Sequence, residues 1–149
     1  MALKAVRLAR KEIPNLRLLA YGPHKKPGER PRPKGMDYRF CPANDELKFI
    51  YASCDAWLFA SRTEGFGLPI LEAMSCRTAV IATPAGAATE LITAQNGGML
   101  IDHESPEQMA RKIVRFCTME ESEWQVISEA ALKTTATYTW DDAGSRFEE

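Results

Sequence analysis

The chain has 149 residues, 26% charged and 9% aromatic, and its 19 Lys and Arg against 20 Asp and Glu leave a formal net charge of −1. That length suits one domain with a sizeable core, and the proportions are those of an ordinary globular chain without low-complexity runs. A total this close to neutral offers no basic face to nucleic acid or acidic lipid, so any anion would have to be held locally.

No apolar run approaches the roughly 18 residues of a membrane span, and the N-terminus lacks the apolar core of a signal peptide. Cys41, Cys54, Cys76 and Cys117 are dispersed without a Cys-x-x-Cys pair, which favours reduced core thiols of a cytosolic protein over disulfides or zinc. His24 and His103 are too few and too isolated to complete a metal site with them.

Apolar segments alternate with helical patterns along the chain, the mark of a parallel sheet covered by helices. Ala2 to Lys11 sets Leu3, Val6 and Leu8 among basic residues and reads as an amphipathic helix ended near Pro14. Leu16 to Tyr21 follows as a strand. Gly22 to Gly35 carries Pro23, Pro27, Pro31 and Pro33 and reads as a long crossover loop, since it cannot hold a regular helix. Its Lys25, Lys26, Arg30, Arg32 and Lys34 would emerge near the carboxyl end of a strand, where open α/β sheets bind ligands, although an ordinary solvated loop also accounts for them. Further strands are expected at Tyr38 to Cys41, Ala56 to Ala60, Ala79 to Ala82 and Met99 to Ile101, with helices near Asp45 to Ser53 and Leu68 to Cys76. Their continuous apolar character predicts cover on both faces of the sheet. A helix from Pro106 to about Cys117 places Met109, Ile113 and Phe116 on one face, and a longer one runs from about Glu121 to Thr135.

The most informative run is Glu64-Gly65-Phe66-Gly67-Leu68-Pro69-Ile70-Leu71-Glu72. It places two carboxylates around a glycine-broken turn that opens a helix just after the strand at Ala56 to Ala60. Pro69 suits a first helical turn, where its missing N–H is not needed. Gly65 and Gly67 allow a sharp turn and close approach of a ligand to the backbone, and the free amides of a helix N-terminus suit a diphosphate. Glu64 falls in the loop, and Glu72 is expected in the first turn with its side chain leaning back toward the N-terminus, so that both line one pocket. Taken singly, Glu72 reads as a helix-surface acid near a favourable dipole end, Glu64 as a solvated loop acid and Phe66 as a core plug. Leu68, Ile70, Leu71 and Met74 read as core.

The segment from Ser61 to Met74 resembles the signature of retaining glycosyltransferases of the GT-B fold, glycosyltransferase family 4: Ser-x-x-Glu-Gly-Phe-Gly-Leu-Pro-x-Leu-Glu-Ala-Met, with seven residues between the two Glu. Flanking segments agree. Leu47-x-x-Ile50-Tyr51-Ala52-x-Cys54-Asp55 is similar to the family's approach to this strand, Thr83-Pro84-x-Gly86-x-x-x-Glu90 to its next loop, and Tyr138-Thr139-Trp140 to the segment that opens its last helix. Arg77 departs from the pattern, standing where the family usually has a helix-ending Gly.

The resemblance implies an α/β fold, a Rossmann-like parallel sheet with helices on both faces, forming the C-terminal, donor-binding half of such an enzyme over residues 1–149. The family's first strand and its preceding acceptor domain would lie outside this sequence. The missing strand is central in such a sheet, which predicts either direct pairing of the strand at Leu16 to Tyr21 with that at Ala56 to Ala60, or self-association through the open edges.

By the same resemblance Glu72 would bond the ribose hydroxyls of a nucleoside diphosphate sugar, Glu64 the transferred sugar, and the amides of Phe66, Gly67 and Leu68 the phosphates, with residues near Cys41 and Pro42 toward the base. It implies no obligatory metal, no cofactor besides the donor substrate, and a cytoplasmic protein, with peripheral attachment to an inner membrane open to the full-length enzyme. From a different class, the same residues would serve a non-catalytic nucleotide-sugar-binding module.

Overall fold

The computed structural model describes residues 1–23, 33–93, 97–102 and 104–139. Among these residues eleven elements follow in order: α1 (Ala2–Ala9), β1 (Leu18–Gly22), β2 (Met36–Phe40), α2 (Asn44–Ala52), β3 (Ala56–Phe59), α3 (Leu68–Ser75), β4 (Ala79–Ala82), α4 (Ala88–Leu91), β5 (Gly98–Leu100), α5 (Pro106–Thr118) and α6 (Glu121–Thr135). Except for the four-residue α4, each was expected within a few residues of where it lies. Helix α4 is too short to leave a periodic signal. Lys25, Lys26, Arg30, Arg32, His24, His103 and Trp140 lie outside the described residues.

Among the described residues every strand pairing is parallel, and the core has two sides. Strand β4 is buried throughout. Val80 and Ala82 pack with Tyr51, Ile70, Ala73, Met74, Leu91 and Ala131 on one face, and Ala79 and Ile81 pack with Ala5, Val6, Ala9, Met109, Ile113 and Phe116 on the other. The expected face of Met109, Ile113 and Phe116 is therefore the buried one, and the expected double cover is present. In α1 the stripe differs from the expected one. Leu3 is exposed while Ala5, Val6 and Ala9 are buried, because positions four apart share a face and the small alanines let α1 lie close to α5.

The sheet is split. Strands β1 and β2 form one ladder and β3, β4 and β5 another, so β1 does not close directly onto β3 as one of the two expectations had it. Side chains span the interval instead. Tyr21 of β1 stacks on Trp57 of β3 with ring centroids 5.7 Å apart, and Tyr51 meets Trp57 edge-on at 4.9 Å. Rings of this size reach across a separation that backbone hydrogen bonds cannot. One polar atom bears the cost, since Trp57 Nε1 is buried and, among the described residues, has no hydrogen-bond partner.

The end of α3 explains how a non-glycine is accommodated. Arg77 adopts φ 62°, its N–H donates to Met74 O and the Thr78 N–H to Ala73 O, each at 3.0 Å, which is the paired closure of a left-handed helix end. Its carbonyl is held by Ser128 Oγ at 2.7 Å, and its guanidinium pairs with Glu129 of α6 at the surface. Left-handed geometry costs a non-glycine roughly 1–2 kcal/mol, whereas an exposed ion pair contributes about 0–1 kcal/mol. Arg77→Gly is accordingly expected to stabilise the domain by about 0.5–1 kcal/mol, read as a raised urea midpoint at unchanged slope. A lowered midpoint would show that the Glu129 contact outweighs the backbone strain.

The four cysteines carry free thiols, but none is in the core: Cys41 and Cys117 are exposed and Cys54 and Cys76 half-buried. Partial burial raises the Cys54 and Cys117 thiols above their ordinary pKa. All four sit at or just beyond element ends, where the surface is near. Among the described residues no helix is long and apolar enough to cross a membrane.

Candidate functional site

In parallel strands the carboxyl ends point the same way, so the turns after the paired strands β3 and β4 lie at one edge of their sheet. The turn after β3 is built from behind. Buried Thr83, one residue past β4, donates its N–H to Phe59 O at 2.9 Å and its hydroxyl to Ser61 O at 2.6 Å. A hydroxyl that must find a partner when buried thus locks the departing chain to the end of β3. Ser61 Oγ donates in turn to Glu64 Oε2 at 3.1 Å.

Gly67 is the pivot of the turn. It is the N-cap of α3 at φ 95°, and a Cβ there would meet Phe59 at 3.2 Å, Ile70 at 3.4 Å and Glu64 Cγ at 3.5 Å. Only glycine combines that backbone with that space. The stem of Glu64 therefore lies against the start of α3. Gly86 fixes the other side of the turn: at φ 56° it lies so close that a Cβ would be 2.5 Å from Phe66 O, the carbonyl that also accepts the Ala87 N–H at 2.8 Å. Gly65 differs from both. It is not left-handed, and a Cβ on it would meet nothing within 4 Å.

These contacts aim the turn outward. Glu64, Gly65, Phe66, Leu68 and Glu72 are exposed and Gly67 is buried. Phe66 at 43% and Leu68 at 52% exposure are not the core positions they were read as. The left-handed step at Gly67 turns both outward, leaving Ile70 and Met74 as the anchors of α3 in the core. Burying an aliphatic side chain of this size contributes about 1.5–3 kcal/mol.

Glu72 is also displaced from its expected place. Helix α3 starts at Leu68, with no acid in its first turn, so at 3.6 residues per turn Glu72 falls in the second. The structure holds its carboxylate against α2, where the Tyr51 hydroxyl donates to Glu72 Oε2 at 2.8 Å. Tyr51 is 1% exposed. Burial, followed by its bonds to Tyr21 and Glu72, pushes its pKa well above the ordinary tyrosine value, so it remains a donor. The Ser61 to Met74 run points to Glu64 and Glu72, whereas the flanking segments include Tyr51, Thr83 and Gly86 without giving any of them a role. The available signal for Tyr51 was a polar-tipped ring on the inward face of α2, which requires a partner once buried.

The remaining candidates are scattered more widely. Pro42 lines a concavity of about 410 Å³ with Leu19, Tyr38, Phe40 and Glu46, while Cys41 is exposed at φ 44°. Glu90 accepts from the Tyr138 hydroxyl at 3.1 Å, tying the segment after α6 to α4. Lys34 is exposed. Among the described residues no three or more His, Cys, Asp or Glu side chains cluster to hold a metal ion.

An open parallel α/β sheet with a glycine-pivoted helix N-terminus and two acids at its carboxyl edge defines a domain suited to an anion joined to a hydroxyl-rich group. The family described as glycosyl transferases, group 1, matches residues 1–119, and the chain belongs to that family.

The similar proteins below are longer than this chain. Sucrose synthase from Solanum tuberosum is 36% identical over 102 residues, 65% of this chain and 13% of that protein. A solved C-terminal domain of a glycosyl transferase group 1 family protein, LpcC from Francisella tularensis, superposes with a TM-score of 0.74 at 26% identity over 91% of this chain and 75% of that one. The sucrose-phosphate synthase structure from Thermosynechococcus elongatus superposes with a TM-score of 0.81 over 99% of this chain and 40% of that one, at 19% identity, a likeness of fold alone. The expected fold class, the C-terminal half of a GT-B glycosyltransferase, is borne out. The chain spans 10–13% of the curated sucrose synthases it matches.

Proposed function

We propose that this chain is the donor-binding part of a retaining glycosyltransferase that moves a sugar from a nucleoside diphosphate to an acceptor in glycoconjugate or polysaccharide assembly. The diphosphate lies on the amides of Phe66, Gly67 and Leu68, which open α3 and carry its positive dipole end. Glu72 accepts from the ribose hydroxyls and Glu64 from the hydroxyls of the transferred sugar.

As the bond from the anomeric carbon to the diphosphate oxygen breaks, negative charge grows on the leaving group, and preorganised donors aimed at it lower the barrier. The acceptor oxygen bonds the same face of the sugar, and its proton passes to the departing phosphate. Glu64 positions the sugar and need not act as a nucleophile. A glycosidase-type carboxylate pair would have to flank the scissile bond, whereas these two acids are assigned to different parts of the donor. The nucleoside diphosphate sugar is thus a substrate rather than a resident cofactor. The acceptor domain completes the cleft in the full-length enzyme, in keeping with a site that here is an exposed ledge.

Gly65 carries this reading. Neither backbone conformation nor packing requires a glycine there, whereas a ligand lying on the amides would. Titration calorimetry with uridine, guanosine and adenosine diphosphates should show weak binding of at least one. Gly65→Ala should weaken it while changing stability by less than about 0.5 kcal/mol. Absence of heat from all three at millimolar ligand, with folded protein, would count against the site. If turnover of nucleotide sugars were absent from the full-length protein despite binding, the non-catalytic module would be the better reading.

A further inference from the structure

We propose that Tyr51 is a positioning residue that sets Glu72 for the donor, itself oriented by Tyr21, so that three elements cooperate on one carboxylate. This rests on the reading of Glu72 as a ribose ligand. The hydroxyls of Tyr21 and Tyr51 lie 2.7 Å apart, and that of Tyr51 lies 2.8 Å from Glu72 Oε2. Proton bookkeeping gives the chain a direction. An ionised carboxylate only accepts, so Tyr51 spends its single proton on Glu72, and Tyr21 must donate to Tyr51. Donors in such a chain polarise one another and strengthen the last bond.

The arrangement has a specific consequence for binding. An exposed glutamate on a helix samples several rotamers and must be ordered when a ligand arrives, at a cost in side-chain entropy. The Tyr51 bond imposes that order beforehand and occupies Oε2. Oε1 is left to face the ligand. Tyr51 is well suited to the task because it is itself immobile: its ring packs edge-on against Trp57 and Tyr21, and its carbonyl accepts from Thr78 Oγ1 at 2.8 Å. Strand β1 joins this chain through Tyr21, which couples the two ladders of the split sheet to ligand binding.

The test combines calorimetry with a double-mutant cycle. Tyr51→Phe, which removes only the hydroxyl, should weaken binding of whichever of uridine, guanosine or adenosine diphosphate binds by about tenfold. Its effect on the matching 2′,3′-dideoxynucleoside diphosphate should be negligible, and in a Glu72→Ala background it should cause no further loss. In the ligand-free protein the Tyr51 hydroxyl proton should give a slowly exchanging NMR signal that shifts or vanishes in Glu72→Ala.

Equal weakening of the ribose and dideoxy ligands would reduce Tyr51 to a structural residue and overturn the proposal. So would unchanged binding in Tyr51→Phe beside a clear loss in Glu72→Ala. A hydroxyl signal indifferent to Glu72→Ala would overturn it even without a ligand. If Glu72→Ala itself left ribonucleotide binding intact, the assignment of Glu72 to the ribose would fail, and this proposal with it.

Discussion

Glu72→Ala is expected to weaken nucleoside diphosphate binding by about ten- to hundredfold, because losing an acceptor of charge-assisted hydrogen bonds costs about 1.5–3 kcal/mol. Glu64→Ala should leave binding of the bare nucleotide unchanged and act only on the intact nucleotide sugar, through its affinity and turnover. The two acids differ in their supports as well as in their ligands. Glu72 is held by a buried tyrosine, Glu64 by the exposed turn and Ser61. Removing Glu72 also leaves the Tyr51 hydroxyl without that acceptor, so Glu72→Gln, which keeps a carbonyl oxygen for Tyr51, is the control for lost folding. Calorimetry with nucleoside diphosphate and nucleotide sugar decides the matter. Equal loss of bare nucleotide binding in both alanine variants would break the division of roles.

Gly97→Ala should unseat α6 and cost about 3 kcal/mol or more, at the severe end of single substitutions. Gly97 adopts φ 70°, and a Cβ there would lie 2.3 Å from both the Cα and the N of Ala131. Those atoms are helix backbone and cannot rotate away, as the end of a long side chain could. The strained φ adds its own penalty. Moving α6 would withdraw Ala131 from the core and break the Ser128 bond to Arg77 O, loosening the end of α3 and, through that helix, Glu72. Urea denaturation followed by far-ultraviolet circular dichroism measures the loss, and a midpoint within experimental error of the parent would show that α6 can shift without cost.

Local chemistry was enough to find most of the elements and the motif. Proline and glycine mark breaks wherever they occur, a stripe such as Met109, Ile113 and Phe116 repeats with the helix, and the run from Ser61 to Met74 carries strand end, turn and helix start within one window. Such signals depend on neighbours in sequence and survive without knowledge of the fold. The outward turn of Phe66 and Leu68 was beyond them, because apolar residues beside a core helix read as core until the φ of Gly67 is known.

Tertiary structure decided what depends on residues far apart in sequence. The Tyr21–Tyr51–Glu72 chain joins β1, α2 and α3, the Gly97 contact joins the start of β5 to α6, and Arg77 is accommodated in its left-handed conformation at a helix end that Ser128 holds from 51 positions away. The split of the sheet belongs here too. Which strands pair depends on the distance between their backbones, and β1 meets β3 through the stacked rings of Tyr21 and Trp57 rather than through a ladder, so an alternation of strands and helices in sequence shows that a sheet will form but not where its ladder is interrupted.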